Sequence, residues 1–423
     1  MLQLKLVVFG LNFTPERTGI GRYSGELAAW LSNRGHRVEA IVGLPHYPEW
    51  RVYVGYRVKT LHTETLEGVQ VHRVHHFVPD TGKVTTQARL RMQLSFAARA
   101  ARYWIPLLLA SNKPDLVMAI APPLIPALYP ALYRLRDVPW LLHLQDLEFD
   151  IALRLRMFAR PLAGAGLRAL ERLLLRSATA VSTITEAMRR RVIAKGVPEN
   201  RTFVLPNWSD TQRIRPLPRD NAFRAELGLS TDHIVVLYAG AFGVKHGVDL
   251  LVQAADRLRG CSNLRFLLVG DGADRARVER MVHELSLANV HLLPVQPEDR
   301  LPELLAAGDI HVVLQKRDAA DLVMPSKVGN ILAAGRACIA TADPGTTLHD
   351  IIAGHRLGLV CAPEDPEALS ESIERLALDS ELREACGRRA RAYAEQHLDR
   401  DRILTAFEER LLAMARKRSA ERR

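Results

Sequence analysis

Two apolar runs, Ile310-His-Val-Val-Leu314 and Ala337-Cys-Ile-Ala-Thr341, bracket the stretch Met324-Pro-Ser-Lys-Val-Gly-Asn-Ile-Leu-Ala-Ala-Gly335. Each run is short, continuous and β-branched, the pattern of a strand covered on both faces. Between them Lys327–Ala334 fits one short helix, stopped at Gly335. A strand–turn–helix–strand order dictates a parallel sheet, and it puts Ser326 and Lys327 where a strand has ended and a helix begins. In open α/β sheets ligands bind at such junctions, and free helix N–H groups there favour anions. The same arrangement occurs earlier: the run Ile234–Ala239, then Gly240-Ala-Phe-Gly243-Val-Lys245-His-Gly247, then a helical period. Two anion-ready turns, each carrying a lysine, point to a ligand with phosphates.

The β/α alternation begins at once. Leu4–Phe9 reads as a buried strand. A loop through Gly19-Ile-Gly21-Arg22 follows, then a helix with Tyr23, Leu27 and Leu31 on one face, then the strand Val38–Val42. The Gly19-x-Gly21 pair is not a dinucleotide fingerprint: it stands far beyond the strand, and the second strand runs into Gly43-Leu-Pro with no acid for a ribose. It reads as a flexible loop with a helix start, or as a loop covering a phosphate or sugar from above. Further strands are expected at 69–74, 115–121, 139–146, 180–183 and 202–205, with helices over 87–109, 151–176 and 186–195. His143 and Asp146 fall at the end of one strand, a position that favours binding chemistry. The proline-rich, aperiodic stretch 206–218 is the natural domain joint, and a second β/α series runs from Ile234 to a helical tail. The expected domains are 1–207 and 208–397, with 398–423 a terminal helix.

The net charge of +11 suits phosphorylated substrates, anionic lipid or nucleic acid, but aromatics at 6% and the lack of a basic stripe interleaved with them disfavour a nucleic-acid module. The four cysteines form no C-x-x-C pair and are read as ordinary thiols, with neither a zinc site nor a disulfide framework. The uncharged run Leu116–Tyr133 is long enough to span a bilayer, but four prolines break it into strand, loop and helix start. Met1 leads straight into the first strand, so no signal peptide is expected.

In order and spacing, Gly19-Ile-Gly-Arg-Tyr23, Gly35-His36, His143-Leu-Gln-Asp146, Pro206-Asn-Trp-Ser209, Gly240 with Lys245 and Gly247, Gln315-Lys-Arg-Asp-Ala-Ala-Asp321, Pro325-Ser-Lys327 and Asn330-Ile-Leu-Ala-Ala-Gly335 resemble glycosyltransferase family 4, and within it the colanic-acid-type, WcaI-like exopolysaccharide enzymes. The resemblance covers nearly the whole chain. It implies the GT-B fold: two Rossmann-like β/α/β domains facing an interdomain cleft, with a C-terminal helix crossing back to the first. It also implies a nucleotide-sugar donor on the second domain, an acceptor on the first, and transfer with retention. Many family members carry two glutamates that align with Leu322 and Asn330; neither is acidic here, and Asp321 is one residue out of register. The arginine usual upstream of the lysine is replaced by Phe242-Gly243-Val244.

The expected catalytic set is Lys245 and Lys327, which would stabilise charge growing on the leaving β-phosphate, with His143 and Asp146 orienting sugar or acceptor. The expected donor contacts are Gly19, Gly21, Gly240, Gly243, Ser326, Asn330 (to a ribose hydroxyl) and the backbone near Val295 and Gly270-Asp-Gly272. Replacing either lysine is expected to leave the melting temperature nearly unchanged. No cofactor and no metal are expected, since the one D-x-D, Asp399-Arg-Asp401, opens a charged helix and reads as a solvated face. The expected partners are a GDP- or UDP-linked sugar, a lipid-diphosphate-linked saccharide and the anionic inner face of the cytoplasmic membrane, reached by basic, apolar helices at 87–109 and 151–176. Arg154, Arg156 and Arg160 would touch lipid there. A sugar-nucleotide epimerase, which needs no acceptor, and a non-catalytic anionic-surface or nucleic-acid module are the competing readings.

Overall fold

The computed structural model describes residues 3–56, 62–79, 85–148, 150, 161–243, 247–317 and 324–421. Lys245, Asp321, Leu322, Arg154, Arg156 and Arg160 therefore lie outside the described residues. The chain divides into two compact units, Met1–Pro206 with Leu404–Arg423, and Asn207–Ile403.

In the first unit the strands β1 (Lys5–Gly10), β2 (Arg37–Gly43), β3 (His62–Leu66), β4 (Val69–Val74), β5 (Leu116–Ala121), β6 (Trp140–Leu144), β7 (Ala180–Thr183) and β8 (Thr202–Val204) form a sheet in the order β3-β4-β2-β1-β5-β6-β7-β8. All neighbours are parallel except β3, which returns antiparallel to β4 as an edge hairpin. Strands β5 and β6 are buried at every position, as the continuous apolar runs require when helices cover both faces. The helix Gly19–Asn33 buries Tyr23, Leu27 and Leu31 against the sheet. Gly19 and Gly21 lie in its first turn, not in a loop ahead of it.

The C-terminal helix Arg400–Glu421 returns to this unit through buried Leu404, Phe407 and Leu411. Its Glu408 accepts from His36 Nε2 at 2.8 Å and pairs with Arg34 at 3.2 Å. The Leu4 N–H donates to His36 Nδ1, so the ring gives its one proton to the carboxylate.

The second unit is a six-stranded parallel sheet of β9 (Ile234–Ala239), β10 (Leu264–Val269), β11 (Val290–Leu293), β12 (Ile310–Val313), β13 (Ala337–Thr341) and β14 (Gly358–Cys361), in the order β11-β10-β9-β12-β13-β14. That is the doubly wound order, with the reversal between β9 and β12. Buried residues of β9, β10, β12 and β13 meet those of the helices Val248–Arg257 and Pro366–Leu378 in one core. No described helix is long and apolar enough to cross a membrane.

Candidate active site

The ends of β9, β10 and β11 are laced together by backbone. Gly240 N–H donates to Val269 O at 2.9 Å, Phe242 N–H to Asp271 O at 2.8 Å, and Gly270 N–H to Leu293 O at 3.1 Å. Gly270 has φ +155, and a Cβ there would collide with the Gly240 carbonyl. No other residue fits this approach. The Arg275 guanidinium clamps the platform: it donates to the carbonyls of Gly270 and Leu293 and rides over the Phe242 ring. Gly243 follows this clamp, half-buried, and Val295 stands 66% exposed in the loop after β11.

Lys327 opens the helix Lys327–Ala333 between β12 and β13. Its stem is partly exposed, yet its Nζ is enclosed and has no hydrogen-bond partner among the described residues. The ammonium lies 3.6 Å from the centroid of the Tyr238 ring, a cation–π contact from the end of β9. A Cβ on Gly240 would stand 2.7 Å from Nζ, so the glycine makes room for the lysine. Burial pushes the Lys327 pKa down to about 7, opposed by the neighbouring Cys338, whose own thiol burial pushes up to about 12. Among the described residues, this enclosed Nζ near the sheet's reversal point is left without a hydrogen-bond partner, an environment that an anion would complement.

Around it, Ser326 is exposed and makes no capping bond. Asn330, one turn along the helix, accepts from Ser209 Oγ at 2.7 Å through Oδ1. Lys316, two residues past Leu314, was not foreseen; its side chain lies along Gly247, which has φ +68 and leads into the helix Val248–Arg257. Its position directly after a strand at the reversal point was the available signal. Asp399 departs from the solvated-face reading: it is half-buried, accepts from the Thr211 hydroxyl, and caps the Arg402 N–H at 2.9 Å.

In the first unit the reversal lies between β1 and β5. The buried carboxylate of Glu16, also not foreseen, organises the β1 end. It accepts from the backbone N–H groups of His46 (2.9 Å) and Tyr47 (3.0 Å) and from Asn12 Nδ2 (2.9 Å). A Cβ on Gly21 would collide with the Glu16 side chain, which explains that glycine without recourse to a ligand. Burial holds the Glu16 pKa above the ordinary carboxylate value, against His46 and the donated N–H groups. Edge-on to His46, His76 is buried with both ring nitrogens lacking a hydrogen-bond partner among the described residues, and burial pushes its pKa well down.

β6 ends at Leu144, so His143 is its penultimate residue and Asp146 lies beyond it. His143 pairs in register with Ser182 of β7, and its Nδ1 is 2.9 Å from Ser182 Oγ. Its Nε2 is 2.9 Å from Gln145 Nε2, so it accepts there and Nδ1–H donates to the serine. Burial pushes its pKa down to about 3. Both ring nitrogens are thus engaged by neighbouring side chains, and the residue is only 2% exposed. Asp146 is half-buried and lines a small cavity with Pro122, Leu124, Leu147, Glu148 and Glu171. The contacts thus bring Lys327 to Gly240 at the end of β9 and Asn330 to Ser209 in the second unit, and Gly21 to Glu16 and Asp146 to a cavity beside Pro122 in the first.

Two doubly wound sheets, parallel throughout except for the edge strand β3, make up the architecture of the GT-B glycosyltransferases. The chain matches the glycosyl transferase 4-like domain over residues 18–208 and glycosyl transferases group 1 over residues 219–393. It is 36% identical over 415 residues to the Escherichia coli (strain K12) protein named as the colanic acid biosynthesis glycosyl transferase WcaI, covering 96% of this chain and 98% of that one. It belongs to glycosyltransferase family 4, among the WcaI-like proteins. Among solved structures it is similar to sucrose-phosphate synthase from Thermosynechococcus elongatus, with TM-score 0.73 and 18% identity over 96% of this chain and 97% of that one. The Anabaena protein HepE, solved with UDP and glucose, matches with TM-score 0.69 and 17% identity over 96% and 99%. At these identities the two structures speak for the fold alone.

Proposed function

We propose that this glycosyltransferase moves a sugar, with retention, from a GDP- or UDP-linked donor to a saccharide carried on a lipid diphosphate, in the assembly of a bacterial exopolysaccharide of the colanic-acid kind. The observation that carries the donor half is the enclosed Nζ of Lys327 beside Gly240, which has no hydrogen-bond partner among the described residues. A diphosphate would supply the missing counter-charge, and as the sugar–phosphate bond breaks the growing negative charge would be met by an ammonium already in place. Lys245, on the neighbouring turn of the sequence, is assigned the second cation. With His143 committed to Ser182 and Gln145, the acceptor's proton passes to the leaving phosphate on the face where the new bond forms. That route needs no protein base and yields retention. Transfer proceeds without a metal, and chelator treatment should leave it intact.

Membrane docking belongs to the same proposal. The helix Thr86–Leu109 holds four arginines and no acid, and exposes Leu94, Ile105 and Leu109. The neighbouring segment 125–136 adds exposed Leu132 and Leu135 with Arg134 and Arg136, again without an acid. It is tied on by Arg136, which donates to the carbonyls of Leu108 and Ala110. On the helix Pro161–Ser177 the one acid, Glu171, is buried and bound to Lys195 at 2.6 Å, while Leu173 is exposed. Exposed leucines among arginines match the headgroup plane of an anionic bilayer, where a lipid-linked acceptor is met.

A thermal-shift screen of nucleotide-sugars tests the donor half, since a ligand of the native state raises its melting temperature. Stabilisation by a GDP- or UDP-sugar and by the matching diphosphate is expected. Turnover of donor with no acceptor present would favour the epimerase reading instead.

A further inference from the structure

Ser209 belongs to the segment that opens the second unit, and it is fully buried. Its backbone is held on both sides: its N–H donates to Leu398 O at 2.8 Å, and its carbonyl accepts from the Arg400 N–H at 3.0 Å, forming a parallel bridge with Asp399. Side chains reinforce the clamp, with the Thr211 hydroxyl on Asp399 and Arg400 paired to Asp210 at 2.9 Å. A hydroxyl so placed has one proton to give, and it gives it to Asn330 Oδ1 at 2.7 Å. Fixing that oxygen fixes the other end of the amide. Nδ2 then presents two N–H donors, for which no described residue supplies an acceptor. Asn330 follows Lys327 by three residues on one helix, so the two share a face.

We propose that Ser209 is a positioning residue for donor binding: its hydroxyl locks the Asn330 amide so that Nδ2 donates to a ribose or phosphate oxygen of a bound nucleoside diphosphate. This rests on the donor reading above. Ser209 itself touches no ligand; it acts through Asn330.

Calorimetric titration of the full chain with UDP and with GDP tests this. For whichever binds the parent, Asn330→Ala should weaken affinity about fivefold, the loss of one neutral hydrogen bond, and Ser209→Ala about threefold. The double variant should be no weaker than Asn330→Ala alone, since coupled residues are not additive. Asn330→Asp keeps the bond from Ser209 but replaces the donor by an acceptor. It should weaken binding tenfold or more, at high salt as well as low, because screening removes only long-range repulsion. Additive losses in the double variant would make Ser209 merely structural and overturn the proposal. So would an Asn330→Asp variant that binds as the parent does. If Ser209→Ala lowers the melting temperature, the Asn330→Asp arm still decides, because it leaves the clamp untouched. A parent that binds neither nucleotide would overturn the donor reading and this inference together, and the parent titration alone reveals that case.

Discussion

Replacing Lys327 by methionine should stabilise the unliganded protein while disabling it. The ammonium is enclosed, and its pKa is down from 10.5 to about 7. At about 1.4 kcal/mol per pKa unit, that is about 5 kcal/mol against the charged form. The Tyr238 ring, 3.6 Å from Nζ, returns about 2 kcal/mol as a desolvated cation–π contact. A net cost of about 3 kcal/mol remains, which an apolar side chain of similar length does not incur. The sign with pH is definite. Between about 7 and 10.5 the unfolded chain holds a proton on this lysine that the native state lacks, so parent stability rises with pH across that window. The advantage of Lys327→Met should therefore be largest below pH 7 and shrink toward pH 10.5. At roughly 2–4 °C per kcal/mol for a unit of this size, the melting temperature should rise by about 6–12 °C in calorimetry at pH 6.5. This departs from the sequence-based expectation of an unchanged melting temperature, because that reading had the lysine in an open turn. Sugar transfer should fall on the order of 100-fold. A variant that melts at or below the parent would show that the ammonium is solvated, and the anion-site reasoning would fail with it.

Other expectations can be checked separately. Nucleoside diphosphate affinity should be flat below about pH 7 and fall by up to tenfold per pH unit above it, because a bound anion raises the Lys327 pKa and binding then takes up a proton; calorimetry in buffers of different ionisation enthalpy reads that uptake, and its absence would remove Lys327 from the site. Gly270→Ala should cost more than about 2 kcal/mol in urea unfolding, since a Cβ meets the Gly240 carbonyl at φ +155; a smaller loss would mean the platform can relax. Glu16→Gln should speed amide hydrogen exchange at His46 and Tyr47, whose N–H groups it holds, and unchanged protection there would deny Glu16 its organising role. Changing Leu94, Ile105 and Leu109 together to serine should reduce sedimentation with anionic vesicles and leave nucleotide affinity alone; equal sedimentation would place any membrane face elsewhere.

The second sheet was largely legible because its strands are covered on both faces, so β9, β12 and β13 announce themselves as unbroken apolar runs. β3 was not, since an edge strand reading His62-Thr-Glu-Thr-Leu66 buries no residue fully and shows no apolar stripe. β14 was missed as well: its four residues begin at Gly358, whose Cα rests on the Cys338 backbone, a fit that no periodicity reveals. The strand–turn–helix order located Gly240 and Lys327, but not the Tyr238 ring beneath the ammonium or the closure around it. Ser209 and Asn330 stand 121 residues apart, and nothing local couples them. His143 was legible as a polar residue near a strand's end, but its pairing with Ser182 was not, since that rests on the register of β6 against β7 and on nothing local.

Sugar transfer itself is the most direct test. The protein is incubated in chelator with the nucleotide-sugar that stabilises it and a lipid-diphosphate saccharide, and the acceptor is weighed by mass spectrometry. An acceptor heavier by one sugar residue is expected, formed only when both substrates are present and about 100-fold more slowly by Lys327→Met. Product formation that requires a divalent ion, donor turnover without acceptor, or full activity in Lys327→Met would contradict the proposed chemistry.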